Sequence, residues 1–130
     1  MRYVGTLCEL GVIDKFDLLF EKDCKITYPE VTPIILNFDF NNVKSVVGRA
    51  TVRRDDDSIK VDCIFNHSIP DEYLSDDGRI YVDGYYDRAI SEVDLHGILH
   101  ITHAKLNCVR IIPKWNSSNT NCYVTKYKED

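Results

Sequence analysis

The segment 45–65 constrains the fold most, because it predicts a β-hairpin. Its first arm is S-V-V-G-R-A-T-V-R-R and its second is S-I-K-V-D-C-I-F, with three aspartates at 55–57 between the arms. In the second arm apolar and charged residues alternate: Ile59, Val61 and Cys63 against Lys60 and Asp62. This two-residue period is typical of a strand with one buried and one solvated face. The acidic tip lacks the ligand spacing, central glycine and distal glutamate of an EF-hand calcium loop.

Other apolar, β-favouring runs predict further strands. They lie at 2–13, 33–38, 79–86, 98–113 and 122–127. Pro33 suits only the first position of its strand or an edge, because it has no amide donor. Residues 14–30 carry mixed charges and isolated aromatic residues, so we expect a long loop there with at most one short strand. Asn41-Asn42 predicts a turn.

The clearest helix start is the segment 68–74, S-I-P-D-E-Y-L. Ser68 can cap the helix, Pro70 suits the first turn, and the two acidic residues that follow favour the positive end of the helix dipole. The helix must be short, because Asp76-Asp77-Gly78 predicts a turn. The pattern as a whole indicates one mainly β domain spanning residues 1–130, with one short helix.

Length and charge exclude several functional classes. A chain of 130 residues fits one domain and can bury a core without metals or disulfides. The net charge of -5 argues against sequence-independent nucleic-acid binding and against docking on an anionic membrane. We expect no signal peptide, because the N-terminus lacks a basic start followed by an apolar core. No apolar run is long enough to span a bilayer.

Five cysteines, at 8, 24, 63, 108 and 122, are widely spaced and contain no C-x-x-C motif. Their odd number does not suit a complete disulfide framework, and several lie among apolar residues. We therefore expect buried, reduced thiols in a protein made in a cytosol.

The cluster H-G-I-L-H-I-T-H contains His96, His100 and His103. On a helix the three side chains would share a face and could bind zinc. Gly97 and the β-branched residues favour a strand instead, where His96 and His100 would lie roughly 13 Å apart and His103 would point to the other face. We expect no metal site and no cofactor here.

Marks of catalysis are weak elsewhere. No serine lies in a G-x-S-x-G elbow, no cysteine is marked as a nucleophile, and the lone glycine at 84 is not a phosphate loop. The tyrosines at 73, 81, 85 and 86 are either an interface, where tyrosine is enriched, or ordinary strand residues. The sequence leaves both interpretations open.

The run P-I-I-L-N-F-D-F, followed by V-V-G-R-A-T-V-R-R-D-D-D-S-I-K-V-D-C-I-F, resembles the central part of tailed-phage prohead maturation proteases. That family shares its fold with the herpesvirus assemblins. Val47-Gly48-Arg49 and the acidic turn match its glycine-containing strand and the turn after it. Val82-Asp83-Gly84-Tyr85 resembles its serine strand, and residues 105–113 resemble its last conserved strand. The likeness covers roughly residues 3–115 and implies a small barrel-like β domain.

The departures from that family matter more than the likeness. Phe38 stands where the family has its catalytic histidine, and Val82 stands where it has serine. Neither side chain can abstract a proton or attack a carbonyl. The resemblance therefore implies the fold without the protease chemistry, and we expect no catalytic residues.

The resemblance implies a non-enzymatic virion protein of a tailed phage, made in the bacterial cytoplasm. The expected role is an auxiliary or decoration protein that binds the major capsid protein or another virion protein, and itself, through strand edges and tyrosines. Three alternatives remain open. They are a prohead protease with a non-standard active site, a scaffold or core component, and a small phage protein that binds a host factor.

Overall fold

The computed structural model describes residues 1–36 and 45–128, and the side chains of all of these except 89–91. Eight strands account for most of the chain. They are β1 Arg2–Glu9, β2 Leu18–Thr27, β3 Thr32–Leu36, β4 Val46–Asp55, β5 Ser58–Phe65, β6 Ile80–Val93, β7 Leu99–Ile112 and β8 Tyr123–Lys126. Short 3-10 helices cover Asp71–Tyr73 and Lys114–Asn116. The predicted mainly β class is confirmed.

Seven of the strands close into a barrel. Their order around the barrel is β7-β3-β4-β5-β1-β8-β6, and β6 pairs with β7 again to complete the ring. The eighth strand, β2, is not part of the ring and pairs with the first half of β7. Closure satisfies the backbone groups of the ring strands, which an open sheet would leave exposed at its edges.

Strand β7 organises this sheet because it pairs with three others. Its 14 residues pair with β6 along nearly their whole length. Its opposite edge is divided between two parallel partners. The first half of β7, from Leu99 to Lys105, pairs with β2, and the stretch Val109–Ile111 pairs with β3.

The hairpin prediction for residues 45–65 is confirmed. β4 and β5 pair from Gly48↔Phe65 to Asp55↔Ser58, with the acidic tip between them. The alternating apolar residues of β5 lie inside the barrel and are almost fully buried, whereas Lys60 and Asp62 point outward. The two-residue period therefore reports the two faces of the barrel wall.

Strand β2 is longer than predicted: residues 14–30 were expected to be a long loop with at most one short strand, but ten of them form this strand. A register shift between Phe20 and Lys25 interrupts its pairing with β7, and the exposed Lys22 interrupts its row of core-facing residues, which are Leu18, Phe20, Cys24 and Ile26. The pairing is also parallel and distant in sequence, so no local turn marks it. The guanidinium of Arg54, on β4, donates to the carbonyl oxygens of Lys22 and Cys24 and ties β2 to the barrel.

The predicted short helix is a single 3-10 turn, Asp71–Tyr73, with Pro70 at its N-cap. No side chain caps it, so the predicted capping role of Ser68 was wrong. The predicted turn before β6 is confirmed, since Gly78 has a φ of 82° and its amide donates to the Ser75 carbonyl.

The remaining strand predictions differ mainly in their ends. β7 and β8 match the predicted runs, β1 ends four residues early, and β6 continues to Val93, well beyond residue 86. Three register shifts against β7 break the alternation of β6, which explains the early predicted end. Phe38 and the predicted turn at Asn41-Asn42 lie outside the described residues.

The barrel interior is filled by aliphatic and aromatic side chains from every strand of the ring and from β2. All five cysteines are free and buried, as predicted. In the described part of the chain no helix is long and apolar enough to cross a membrane.

Gly5 marks the tightest backbone approach in the barrel wall. A Cβ at this position would lie 1.9 Å from the carbonyl oxygen of Tyr123 and 2.8 Å from the Cα of Val124, both on β8. Neither is a flexible side-chain end that could move aside. Only glycine lets β1 and β8 pair this closely.

We therefore expect Gly5→Ala to lower the free energy of unfolding by about 1–3 kcal/mol, as overpacking does in rigid sites. Urea denaturation followed by circular dichroism measures the change. Thr51→Ala, on the exposed face of β4, is the control and should stay within about 0.5 kcal/mol of wild type. Equal stability of the two variants would contradict this close approach.

Candidate functional site

Of the two positions that the resemblance aligns with catalytic residues, the structure describes one. Val82 lies on β6 with its side chain in the barrel core, 2% exposed. A side chain there faces packed hydrocarbon, so even a serine at this position would not meet a substrate. Phe38, at the histidine position, lies outside the described residues.

The neighbouring residue, Asp83, points outward into a cleft between β6, β7, the start of β2 and two loops. Its carboxylate lies 3.2 Å from Nη2 of Arg110, which is directly opposite on β7, and accepts a hydrogen bond from the Ser118 hydroxyl at 3.3 Å. Burial raises the pKa of Asp83, while Arg110 and Ser118 act in the opposite direction by stabilising the ionised form. The three side chains tie β6, β7 and the loop before β8 together.

A narrow inner extension of the cleft contains Tyr86 and two thiols. The Tyr86 ring folds back over Gly84, where a Cβ would lie 2.4 Å from the ring, and it packs against Phe20 at 5.0 Å between centroids. Cys8 and Cys122 line the same space. Gly84 is therefore a packing residue that makes room for an aromatic ring.

The chemistry of this cleft does not favour covalent catalysis. Burial raises the pKa of Cys8, and it raises the pKa of Cys122 to about 12, so both thiols are protonated at neutral pH. A protonated thiol is a weak nucleophile. Burial likewise raises the pKa of Tyr86, and the Ser118 hydroxyl donates to a carboxylate that already pairs with Arg110.

The dimensions of the cleft also do not favour a small-molecule substrate site. The inner part has a volume of about 30 Å³ and the outer part about 260 Å³. Typical small-molecule sites have volumes of about 300–1,000 Å³ and enclose most of their ligand. This cleft is better explained as a packed seam that joins loops to the barrel.

The histidine cluster is divided among three environments. His96 lies exposed in the turn between β6 and β7, so the strand prediction was wrong for this residue. His103 is exposed on β7, with its Nδ1 3.1 Å from the Thr102 hydroxyl. Within the described residues no group of three or more His, Cys, Asp or Glu side chains could hold a metal ion.

His100 is the central residue of a carboxylate clasp. Its Nδ1 lies 2.7 Å from Glu21 on β2, and its Nε2 lies 2.9 Å from Asp94 in the β6–β7 turn. Glu92 approaches Nδ1 to 3.9 Å. Carboxylates on both ring nitrogens favour the imidazolium, which donates twice. Accordingly Asp94 and then Glu21 raise the pKa of His100, and His100 in turn lowers the pKa of Asp94 to about 2.

Three loop segments that are joined by backbone hydrogen bonds expose a group of apolar side chains, and we call this region the loop end. Of the fourteen exposed large hydrophobic residues in the described part of the chain, six lie on the segments that meet here. They are Val12, Ile13, Phe16, Val93, Leu95 and Trp115. Leu95 is fully exposed and Trp115 is 76% exposed. Exposed apolar residues that form a contiguous patch mark interaction sites, whereas single scattered ones need no explanation.

Backbone hydrogen bonds join the segments of the loop end. The amide of Lys15 donates to the carbonyl of Ser118 at 2.9 Å, and the amide of Leu99 donates to the carbonyl of Asp17 at 2.9 Å. The first bond links the 12–17 loop to the segment that carries Trp115. The second links the same loop to the hairpin that carries Leu95.

Two aspartates make these loops rigid. Asp14 Oδ1 accepts hydrogen bonds from the amides of Phe16 and Leu18, and Asp94 Oδ1 accepts from those of His96 and Ile98. A carboxylate that binds two nearby amides fixes a tight turn. Phe16 and Leu95 are therefore presented on ordered turns, at a low entropic cost of binding.

The tyrosine cluster does not form a surface of its own. Tyr81 is 1% exposed and contacts Tyr123 edge-to-face, and the hydroxyl of Tyr86 is buried. Tyr73 is half-buried against the core. Tyr85 is exposed, as are Tyr28 and Tyr127 elsewhere. The cluster thus consists mainly of packed strand residues.

Sequence reasoning missed the loop end. Its apolar residues occur singly among turn-forming residues, as in D-K-F-D and V-D-L-H-G, so no periodicity marks them. The available signal was an apolar residue flanked by aspartate and glycine, which predicts a bulky side chain on a tight turn.

No family model, curated protein or solved structure matches this chain. The resemblance to prohead maturation proteases therefore stays an expectation from the sequence.

The His100 clasp predicts a pH-dependent contribution to stability. Because the folded pKa of His100 is raised, its contribution is complete below the unfolded value of about 6.5 and is lost as pH rises through the folded value. We expect the difference in free energy of unfolding between wild type and His100→Gln to be larger at pH 6 than at pH 9, measured by urea denaturation. His103→Gln is the matched control on the same strand. Its free energy of unfolding should change between pH 6 and pH 9 by the same amount as that of the wild type. A His100→Gln difference that is the same at both pH values would contradict the clasp.

Proposed function

We propose that this protein is a non-enzymatic binding domain that attaches to another protein through its loop end. The observation that carries the proposal is the group of six exposed apolar side chains on segments tied together by backbone hydrogen bonds. Aromatic and aliphatic side chains that bury on contact supply most of the free energy of protein association. Trp115 and Leu95 are the expected anchors, because they have the most surface to lose.

Rigid presentation supports the same proposal. The turns that carry Phe16 and Leu95 are each held by an aspartate, and the Leu95 turn is also held by His100. Apolar residues on ordered turns can bind without first losing much conformational entropy. Apolar groups that serve only the protein's own stability would instead pack inward, as those of the barrel do.

The protected state of the possible nucleophiles supports a non-enzymatic role. The thiols of Cys8 and Cys122 are protonated at neutral pH, and the Ser118 hydroxyl donates to a carboxylate that already pairs with Arg110. Val82 is enclosed in the core and has no nucleophilic atom.

The partner that we propose is a virion protein of a tailed phage, with the major capsid protein as first choice. This part of the proposal comes from the resemblance of residues 3–115 to prohead maturation proteases. On this proposal the domain sits on the capsid as an auxiliary or decoration protein, and the loop end faces the capsid. Symmetric placement on the shell would bring copies of the domain near one another.

The proposal predicts that Leu95→Glu and Trp115→Glu reduce incorporation into mature particles by about tenfold or more, because each removes an anchor and buries a charge. Quantitative mass spectrometry of purified virions measures the copies per particle. Proheads measured alongside would distinguish a decoration protein from a scaffold component, which mature particles would lack.

Tyr28→Glu is the matched control, because it also places a charge on an exposed hydrophobic residue but lies just beyond the end of β2 that is remote from the loop end. It should leave incorporation unchanged. Thermal unfolding of the purified variants would verify that each one folds. Full incorporation of both loop-end variants would refute docking through this surface, and absence of the wild-type chain from virions and proheads would refute the virion role.

A further inference from the structure

A second surface, on the barrel wall away from the loop end, is positively charged in an acidic protein. It is a shallow groove across the outer faces of β4, β5 and β1, in two continuous parts of about 490 and 290 Å³. The two parts share Arg2, Thr51 and Asp62. Among the residues that the structure describes, four Lys or Arg side chains line the groove but only one Asp or Glu side chain does.

The strand registers arrange the outward side chains of this groove as three rows. The first row is Arg49, Ile64 and Arg2, the middle row is Thr51, Asp62 and Val4, and the third row is Arg53, Lys60 and Thr6. Cations therefore occupy the two outer rows, and the middle row contains the only acidic side chain. Rows are about 6.7 Å apart and the two cationic rows about 13 Å apart, because successive outward residues are two positions apart on a strand.

The contacts within the groove leave this charge pattern in place. Arg2 binds Asp62 through two parallel hydrogen bonds, Nε to Oδ1 at 3.0 Å and Nη2 to Oδ2 at 2.7 Å, which neutralises the acidic side chain. Lys60 Nζ donates to the neutral hydroxyl of Thr6 at 2.9 Å. Arg53 is 70% exposed and lies 3.5 Å from Asp55, a weak surface pair. Arg49 is exposed at the other end of β4.

We propose that this groove binds an extended acidic segment of another protein, with two carboxylates four residues apart. In an extended chain, residues i and i+4 point to the same side and lie about 13 Å apart, which matches the separation of the cationic rows. Arginine binds carboxylates through two parallel hydrogen bonds, a geometry that Arg2 and Asp62 already adopt inside the groove. The residue between the two acids would face Thr51 and Asp62, so a small neutral side chain fits there.

The groove suits a peptide better than a single-stranded nucleic acid. Proteins that bind single strands offer aromatic rings on which bases stack. The aromatic residue of this groove is Tyr127, and the guanidinium of Arg2 covers one face of its ring at 3.9 Å. Its apolar surface comes instead from aliphatic residues such as Ile64 and Val31. Such side chains contact the aliphatic parts of a peptide.

The test uses the purified full chain and a fluorescein-labelled peptide of nine residues, with glutamates at its third and seventh positions and serine between them. Fluorescence anisotropy measures its affinity. A peptide with glutamates at the third and fifth positions has the same charge but the wrong spacing. Oligodeoxythymidine of equal charge tests the nucleic-acid alternative.

We expect the first peptide to bind at least fivefold more tightly than the second and more tightly than the DNA, and to weaken as salt is raised. The double variant Arg49→Glu/Arg53→Glu should weaken it at least tenfold, because it reverses one charge in each cationic row. The control double variant Lys25→Glu/Lys105→Glu, at two exposed strand residues outside the groove, also reverses two charges and should alter the affinity less than twofold. Thermal unfolding verifies that both variants are folded.

Four results would overturn the proposal. They are equal affinity for the two peptides, tighter binding of the DNA, equal weakening by the control variant and by the groove variant, and the absence of saturable binding at millimolar peptide. None of these results bears on the loop end, so the two proposals can fail separately.

Discussion

The structure depends on the backbone pairing of β7 with three other strands. β6 pairs along almost its full length, β3 continues the ring beside its second half, and β2 is held beside its first half. The loop end is a consequence of this arrangement. The 12–17 loop precedes β2, the Leu95 turn joins β6 to β7, and the Trp115 segment follows β7. The clasp of Glu21, Asp94 and His100 then fixes the first two of these relative to each other. A surface made from distant parts of the chain is thus ordered by one central strand.

Because the barrel interior is closely packed, both candidate binding surfaces lie on its outside. Val82 and the thiols belong to the packed interior or to a seam too narrow for a substrate. The two proposed binding surfaces would bind their partners through different interactions. The loop end offers apolar area on rigid turns, while the groove on β4, β5 and β1 offers charge at a fixed spacing set by strand register. A fold of this kind can carry both, because the outward residues of a barrel strand are free to vary while its inward residues are fixed by packing.

The sequence predicted those elements whose burial follows a simple period. The alternation of Ile59, Val61 and Cys63 gave the hairpin, and the long apolar run at 98–113 gave β7 with nearly correct ends. It did not predict the full length of β2, because the exposed Lys22 interrupts the alternation and a distant parallel partner stabilises the strand. The loop end was missed for a related reason, since single residues such as Phe16 and Leu95 have no period. The groove rows depend on the register between β4, β5 and β1, which composition does not reveal. The net charge of -5 in fact concealed a locally positive face.

Native-state hydrogen exchange of the β7 backbone tests the central claim most directly. If β7 is the strand on which barrel closure depends, its amides from Ile101 to Ile111 exchange only through global unfolding, with protection equal to the full free energy of unfolding. The amides of β2 that pair with β7 should also be protected, at a somewhat lower level. Exchange from β7 as fast as from the 12–17 loop would contradict the account, because neither the closed barrel nor the ordered loop end could then exist as described.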